Sequence, residues 1–376
     1  MTTPANLCGQ STSVTVVRSV SRRQVIGFRV RAQQLDRDTG TLADTAVLDI
    51  GVQDTGPDGA LWALAIRGID VSALADDALA TAWTIRGAPH SYRRSDLPAI
   101  ATATAPFSDA DAGKRIFDAA KPLKAAGIPN VVALDTVADA MRSIVTAPMV
   151  KGELSTRLTA VMDEPYKRFC VPCDAVHLWE QPFRLAALRA GLELQPGTSP
   201  PVLQPIPGFT PATEVPGRLD VVRAYLRLLG PATPKMVAGY LDAPIKDVQA
   251  RWPDDVVEVD VDGERRWVLA DDAERLAEAP EATRLLGPFD LYLQARDRAL
   301  VVPDPAAAKE LWRTLGRPGG VLVDGEIAGT WRARRTGGTL TVSVQRWSPV
   351  PRQTVTAAAE RLAAFRNVRL KTVDID

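Results

Sequence analysis

The chain is organised around two adjoining segments, Ala46-Val-Leu-Asp-Ile-Gly-Val-Gln-Asp-Thr55 and Gly59-Ala-Leu-Trp-Ala-Leu-Ala-Ile-Arg67. The first carries an apolar run to the polar pair Gln53 and Asp54, and a Gly-Pro-Asp-Gly break follows. The second resumes apolar residues at helical spacing. Polar groups held where one element ends and the next begins are typical of working sites. An ordinary turn or helix cap at Asp54 is the competing interpretation.

Composition excludes several classes of protein. The 376 residues carry 45 basic and 45 acidic side chains, so a nonspecific coat for polyanions is not expected. Arginines are nevertheless grouped within residues 18–31, 86–94 and 332–335. Such groups on a neutral chain favour an anionic partner, although each one alone can be a solvated face.

Cysteine and histidine are too few for several kinds of chemistry. Three cysteines do not make a disulfide framework, and two histidines nearly exclude His-based triads. Cys170-Val-Pro-Cys173 with His177 has metal-like spacing, but only Cys8 and His90 remain to complete a four-ligand site. We therefore predict no metal here, with buried thiols and a capping His instead.

Cofactor and membrane signals are also missing from the sequence. It contains no Walker loop, dinucleotide fingerprint or nucleophile elbow, so no cofactor is predicted. No apolar run is long enough to span a bilayer, and the first residues do not resemble a secretory signal. We expect a cytoplasmic protein without a membrane partner. A catalytic site in it would use carboxylates, carboxamides and arginines.

The N-terminal third predicts a winged helix-turn-helix. Residues 21–35 form a helix with an N-cap serine, and helical stretches are predicted over 41–50, 59–66 and 76–83. The segment 84–92 then reads as a short basic hairpin around Gly87. Helices followed by a hairpin have the order of a winged helix.

The clearest unit lies further along the chain. Helices are predicted over 219–229, 233–241 and 243–252, and strands flank the hairpin signal Asp262-Gly263. Residues 146–207 can be interpreted in the same way. From about Leu285, alternating strands predict a C-terminal domain on an antiparallel sheet.

The predicted fold class is therefore α+β, with mostly helical tandem winged helix-turn-helix modules followed by a C-terminal antiparallel β-sheet domain. The predicted boundaries give an N-terminal module containing the candidate site, a second winged-helix-like module, a third winged-helix module and the C-terminal domain, at residues 1–145, 146–216, 217–280 and 281–376.

Six basic residues are candidates for contacts with a nucleic-acid backbone. The segment around the first predicted hairpin supplies four of them and the C-terminal strand two: Arg86, His90, Arg93, Arg94, Arg332 and Arg334. A plain surface hairpin and a cross-strand pair set on a solvated face are the alternatives.

Several motifs together resemble a known family, the tandem winged-helix proteins that include the AlkZ-type and YcaQ-type DNA glycosylases. The resemblance extends from about residue 21 to residue 366. The matching segments are Gly51-Val-Gln-Asp-Thr55, Leu61-Trp62-Ala63, Trp83-Thr-Ile-Arg-Gly-Ala-Pro-His90, Lys151-Gly-Glu-Leu-Ser155, Pro182-Phe-Arg-Leu-Ala186 and Val321-Leu-Val-Asp-Gly-Glu-Ile-Ala-Gly-Thr-Trp331.

The resemblance implies double-stranded DNA as partner and a site at Gln53, Asp54 and Thr55. In those glycosylases a Gln-x-Gln or Gln-x-Asp motif places a water against the sugar carbon as an alkylated base departs. Gln53 matches the first Gln, and Thr55 occupies the second position. With one residue deleted, the segment resembles a Gln-x-Asp-Thr form. Two alternatives stay open: a noncatalytic winged-helix DNA-binding protein and a protein-interaction scaffold.

Overall fold

A computed structural model describes residues 18–56 and 58–376. The start of the predicted first module and Pro57 of the predicted turn lie outside these residues. The predicted first helix is present at Arg22–Ala32, where the Ser21 side chain accepts the backbone N–H of Gln24 and the Gln24 side chain accepts that of Ser21. This reciprocal capping box fixes where the helix begins.

Fourteen α-helices occur within the described residues. They are α1 (Arg22–Ala32), α2 (Gly59–Ala65), α3 (Leu97–Ala103), α4 (Asp109–Arg115), α5 (Ala120–Ala125), α6 (Asn130–Ile144), α7 (Lys151–Val161), α8 (Glu180–Ala187), α9 (Val221–Leu229), α10 (Pro234–Leu241), α11 (Ile245–Gln249), α12 (Arg298–Val301), α13 (Pro305–Leu311) and α14 (Arg352–Phe365). Among the described residues, no helix combines the length and apolar character that crossing a membrane requires.

Sixteen strands accompany these helices in the described part of the chain. They are β1 (Arg18–Val20), β2 (Val52–Gln53), β3 (Leu79–Trp83), β4 (Pro89–Arg93), β5 (Met149–Val150), β6 (Lys167–Cys170), β7 (Ala175–Leu178), β8 (Leu192–Leu194), β9 (Val202–Pro205), β10 (Val256–Val261), β11 (Glu264–Leu269), β12 (Thr283–Leu286), β13 (Gly319–Val323), β14 (Glu326–Thr336), β15 (Thr339–Arg346) and β16 (Arg369–Ile375).

Four sheets are built from the described strands. Their orders are β1-β10-β11, β2-β4-β3-β8-β9-β5, β6-β7 and β12-β13-β14-β15-β16. The last is the predicted C-terminal sheet, antiparallel except where β16 runs parallel to β15. The fold is therefore a mixture of helices and sheets that ends in this sheet.

The predicted N-terminal hairpin around Gly87 is present, with β3 and β4 as its strands, but both strands belong to the six-stranded sheet. Residues 79–83, predicted as part of a helix, form strand β3, and β4 lies between β2 and β3 inside the six-stranded sheet. The predicted helix over 41–50 is reduced to a 3-10 turn at Ala46–Asp49. Ala80, Ala82 and Trp83 are buried, so burial within a sheet outweighs the local helix propensity of this alanine-rich segment.

The later unit has the predicted order of elements. Helices α9, α10 and α11 precede the β10–β11 hairpin, and Asp262 and Gly263 both have positive φ at its turn. Strand β1 from the start of the described chain pairs in parallel with β10. Strand β1 therefore adds a third strand to the β10–β11 hairpin, although the sequence places this segment in the predicted N-terminal module.

Two large apolar cores position the candidate site. The first joins buried residues from segments 30–69, 221–248 and 285–373, and the second is built mainly from residues 112–203. Contacts within the first core bring the segment after β2 against the C-terminal sheet. The four-part division at residues 145, 216 and 280 stays a prediction.

Candidate active site

Strand β2 delivers the polar segment to the edge of the six-stranded sheet. Val52 pairs with Ser91 and Gln53 with His90 in antiparallel register, and the Asp54 backbone N–H continues the ladder to the Pro89 carbonyl at 2.8 Å. Gly51 precedes the strand at φ 88°, where a Cβ would collide with the Tyr92 ring. Because the backbone that follows Gly51 is extended, its successive side chains point to opposite sides.

Gln53 and Thr55 line a cavity of about 370 Å³ that we call the Gln53 cleft. Its walls come from α2, the segment 287–290 and strand β14. The charged side chains along it are Asp58, Arg317, Arg332 and Arg366, together with the buried Asp290. Of the predicted site residues, Gln53, Thr55 and Arg332 thus meet in one cavity.

The Gln53 carboxamide is oriented by its neighbour. Its Nε2 donates to the Thr55 hydroxyl at 3.0 Å. This bond uses an amide hydrogen, so the carbonyl oxygen of the carboxamide is left to accept a hydrogen bond from another molecule. Both residues are half-buried. The pair can hold one water between an amide oxygen and a hydroxyl.

Asp54 does not line the Gln53 cleft. Its Oδ1 accepts the backbone N–H of Ala60 at 2.9 Å, and it lines a separate cavity of about 620 Å³ together with Leu74 and Pro201. The alternation along the strand sends Asp54 to the side opposite Gln53 and Thr55. Gln53 and Asp54 therefore do not line the same cavity, and the contact of Asp54 with the first turn of α2 is the kind that the capping interpretation predicts.

Two other carboxylates lie at the Gln53 cleft, and sequence reasoning missed both as site residues. Asp58 accepts the Nε–H of Arg366 at 2.8 Å. Asp290 is fully buried, and its two oxygens accept from the Arg67 guanidinium at 2.8 and 2.9 Å. Because Asp290 is saturated and Asp58 is only partly enclosed, Asp58 is the carboxylate that a ligand in the cleft can approach.

Aromatic residues form the other walls of the Gln53 cleft. Trp62 and Trp331 are buried and donate their indole N–H groups to the Leu285 and Leu286 carbonyls, both at 2.8 Å. Both indoles are therefore held within the core. Phe289 is half-buried and lies under the Arg317 guanidinium, 4.8 Å from its ring centroid. No motif in the sequence singles out Phe289 or Arg317.

The arginines of the first predicted hairpin are bound inside the protein. Arg86 donates to the Tyr240 carbonyl at 2.6 Å and to Gln294 at 2.5 Å. Arg93 pairs with Asp49 at 2.7 Å and Asp96 at 3.3 Å, and Arg94 pairs with Glu193 at 3.0 Å. Their charges are neutralised or bonded internally, so the structure does not present them as a phosphate-binding wing.

His90 is fully buried. Its Nδ1 lies 3.0 Å from the Ala88 carbonyl and 3.1 Å from the Thr84 hydroxyl. Burial, together with the positive charge of Arg86, lowers the pKa of His90 to about 3, so the ring is neutral at physiological pH. A contact between His90 and a DNA phosphate is not compatible with this position.

The C-terminal arginines have the opposite environment. Arg332 and Arg334 lie on the half of β14 that extends past the end of β13, and they pair across the strand with Ser343 and Thr341. Both are exposed. Arg332 donates to the Gly316 carbonyl at 2.7 Å and lies 3.8 Å from the Glu310 carboxylate, whereas Arg334 forms no ion pair with any described residue. This hairpin carries accessible positive charge beside the Gln53 cleft.

The whole fold resembles a known solved structure. Streptomyces sahachiroi DNA glycosylase AlkZ superposes with a TM-score of 0.72 over 95% of this chain and 100% of that chain, at 24% sequence identity. This similarity shows a shared fold.

Sequence comparison identifies the family. Residues 47–365 match the family described as DNA glycosylase AlkZ-like, and the chain belongs to that family. The interstrand DNA cross-link repair glycosylase of Streptomyces sahachiroi is 35% identical over 123 residues, which are 30% of this chain. The match spans 33% of the length of that relative.

Proposed function

We propose that this protein is a DNA glycosylase that hydrolyses the N-glycosidic bond of alkylated or crosslinked bases in double-stranded DNA. The observation that carries the proposal is the meeting of Gln53, Thr55 and Arg332 in one cleft of a chain that belongs to the AlkZ-like family. A water-orienting pair and an accessible cation from distant parts of the sequence converge there.

Departure of an alkylated base needs little catalytic assistance from the protein. A base alkylated at a ring nitrogen carries positive charge and leaves readily, so general acid catalysis is not required. The sugar then resembles an oxocarbenium ion, as in glycoside hydrolysis. The protein must hold a water on the open face of the sugar and place negative charge near the cation.

Gln53 and Asp58 can divide these two tasks. The Gln53 carbonyl oxygen accepts a hydrogen from the attacking water, and its bond to Thr55 fixes the carboxamide plane. Asp58 supplies the negative charge at the same cavity, balanced by Arg366 while substrate is absent. We assign Asp54 a positioning role, because its contact with Ala60 holds the loop between β2 and α2.

DNA is proposed to approach from the β14–β15 hairpin. Arg332 and Arg334 would contact the phosphate backbone while the lesion enters the Gln53 cleft. We also propose that residues 217–280 form a winged-helix module, since α9, α10, α11 and the β10–β11 hairpin follow its order of elements.

The test is base release from duplex DNA that carries one N7-methylguanine, with a crosslinked duplex as second substrate. Gln53→Ala should lower the single-turnover rate about 100-fold, while Gln353→Ala, an exposed glutamine on α14, should match the wild type. Absence of base release from both substrates by the wild type would refute the enzymatic proposal.

Asn variants separate the two aspartates. Asp58→Asn removes charge from the Gln53 cleft and should slow base release at least about tenfold. Asp54→Asn keeps a good helix-capping side chain and should retain near wild-type rates. A large loss in Asp54→Asn with a normal Asp58→Asn would return the catalytic role to Asp54.

A noncatalytic DNA-binding protein is the second candidate. It is favoured by the neutral Thr55 at the second motif position and by the orientation of Asp54 away from the Gln53 cleft. This candidate predicts salt-dependent affinity for duplex DNA without base release, so the same assay combined with a binding titration distinguishes the two.

A further inference from the structure

The β6–β7 hairpin brings together three potential metal ligands. The sulfur atoms of Cys170 and Cys173 and a ring nitrogen of His177 all lie within 4.8 Å of one another. The chain has only three cysteines and two histidines, so more than half of its soft ligands meet at this one turn.

Local geometry explains how the hairpin gathers these side chains. Cys170 ends β6, a single 3-10 turn carries the chain through Cys173, and Asp174 adopts the left-handed conformation at φ 47°. The pairing of Arg168 with His177 across the strands then returns the imidazole toward the turn. A Cys-x-x-Cys turn closed by a left-handed residue leaves both sulfurs on the same side.

The histidine is also held in a suitable tautomer. Its Nδ1 donates to the Leu178 carbonyl at 2.8 Å, so the proton occupies Nδ1 and the lone pair for coordination is on Nε2. Metal-binding histidines are commonly oriented by such a bond from the other ring nitrogen.

We propose that Cys170, Cys173 and His177 bind one zinc ion in a tetrahedral site whose fourth position is open to a water or another ligand. Tetrahedral zinc with Zn–S bonds of about 2.3 Å separates two sulfurs by about 3.8 Å. Separations of at most 4.8 Å therefore need to contract by about 1 Å between the sulfurs and slightly more between sulfur and nitrogen, which side-chain rotation can supply.

The surroundings of the hairpin give such a zinc ion a structural task. Strands β6 and β7 form a sheet of only two strands, which is marginally stable by itself. Leu178 and Tyr166 are buried at its base, but Phe169 and Val171 at the tip are 59% and 79% exposed. A metal bound at the turn would hold this end of the hairpin where apolar packing does not.

The experiment uses the full chain without an affinity tag, stripped of metal by a chelator under a phosphine reductant. Titration with Co²⁺ should give one cobalt per chain, with the near-ultraviolet thiolate charge-transfer band and the visible bands of a tetrahedral site. Zn²⁺ should displace the cobalt. A wild-type protein that shows no such band under reductant, and no chelator-removable zinc as purified, would overturn the proposal.

Variants locate the ion on the hairpin. Cys173→Ser and His177→Ala should each weaken Co²⁺ binding at least about 100-fold, whereas Cys8→Ser should retain the wild-type affinity and spectrum. Cys8 lies outside the described residues and is the matched cysteine control. Loss of binding in Cys8→Ser with normal binding in Cys173→Ser would refute the site.

A conservative replacement guards against misfolded variants. His177→Cys offers a third thiolate in place of the imidazole and should restore binding with a stronger charge-transfer band. A Cys170–Cys173 disulfide, the competing use of these thiols, would appear as a mass two units lower without reductant. Failure of His177→Cys to bind cobalt, with far-ultraviolet circular dichroism unchanged, would contradict the coordination proposed.

Discussion

The arginines at positions 86, 93 and 94 and those at 332 and 334 have similar density in the sequence but contrasting surroundings. The first group is enclosed, and each member is bonded to carbonyls, amides or carboxylates of the protein. The second group lies on an exposed strand next to the Gln53 cleft.

The difference lies in the acids that face each group. Asp49 and Glu193 come from distant segments, and Asp96 lies three residues after Arg93. These carboxylates pair with Arg93 and Arg94 and compensate their charge.

Arg334 faces Thr341 across the strand. Arg332 has one partly exposed carboxylate nearby, Glu310 at 3.8 Å. A basic cluster is therefore available to a ligand when the fold leaves its charge largely uncompensated, and three predictions test this contrast.

The largest effect is expected from removing an enclosed arginine. Arg93→Ala leaves the buried Asp49 and Asp96 with Arg218 as their close partner and Arg227 at 3.7 Å from Asp49, so the free energy of unfolding should fall by about 3 kcal/mol. Arg334→Ala should change it by less than about 0.5 kcal/mol. Urea unfolding of both variants checks the contrast, which fails if Arg93→Ala is as stable as the wild type.

A smaller effect is expected on the pH dependence of the free energy of unfolding, through the protonation of His90. The folded protein holds the pKa of His90 near 3, so its neutral ring favours the native state above pH 6.5. This stabilisation is lost as the pH falls from 6.5 toward 3, because the unfolded chain binds a proton that the native state does not.

Between pH 6.5 and pH 5.0 the wild type should therefore lose about 2 kcal/mol more than His90→Gln. Urea unfolding at both pH values measures the difference. Equal losses in the two proteins would mean that His90 is protonated in the native state, and its enclosure would be refuted.

The smallest effect is expected on DNA affinity. Arg332→Ala combined with Arg334→Ala should weaken duplex binding about tenfold at low salt and reduce the slope of log affinity against log salt by about 2. The matched control is Arg142→Ala with Arg157→Ala, which removes the same charge from exposed positions of α6 and α7. Similar losses from both pairs would remove the special role of the β14 arginines.

The candidate site was predictable in part. Gln53 and Thr55 were identifiable because they follow an apolar run into a break, and a resemblance to a family motif named the same residues. The separation of Asp54 follows from the alternation of an extended strand, but only the pairing of β2 with β4 establishes that the backbone is extended there. Phe289 gave no signal, since it reaches the Gln53 cleft through long-range packing. Asp58 lies in the break just after Gln53, but only the structure shows that it lines the cleft and pairs with Arg366.

The helices and strands also differ in whether the local sequence predicts them. The amphipathic helices α1 and α9 were predicted because local periodicity and capping residues define them. Strand β3 was not, because its alanine-rich sequence favours a helix until β4 and β8 take up its backbone hydrogen bonds.

Sequence alone was enough to predict a mixture of helices and sheets, the C-terminal sheet and the resemblance to the AlkZ-type family, and it singled out the Gln53 segment as a candidate site. All of these depend on neighbouring residues or on motifs short enough to read along the chain. Three further features required the three-dimensional structure: which arginines are enclosed, which side Asp54 faces and which distant residues close the Gln53 cleft. The physical reason is that burial and charge compensation depend on groups that meet in space across hundreds of residues.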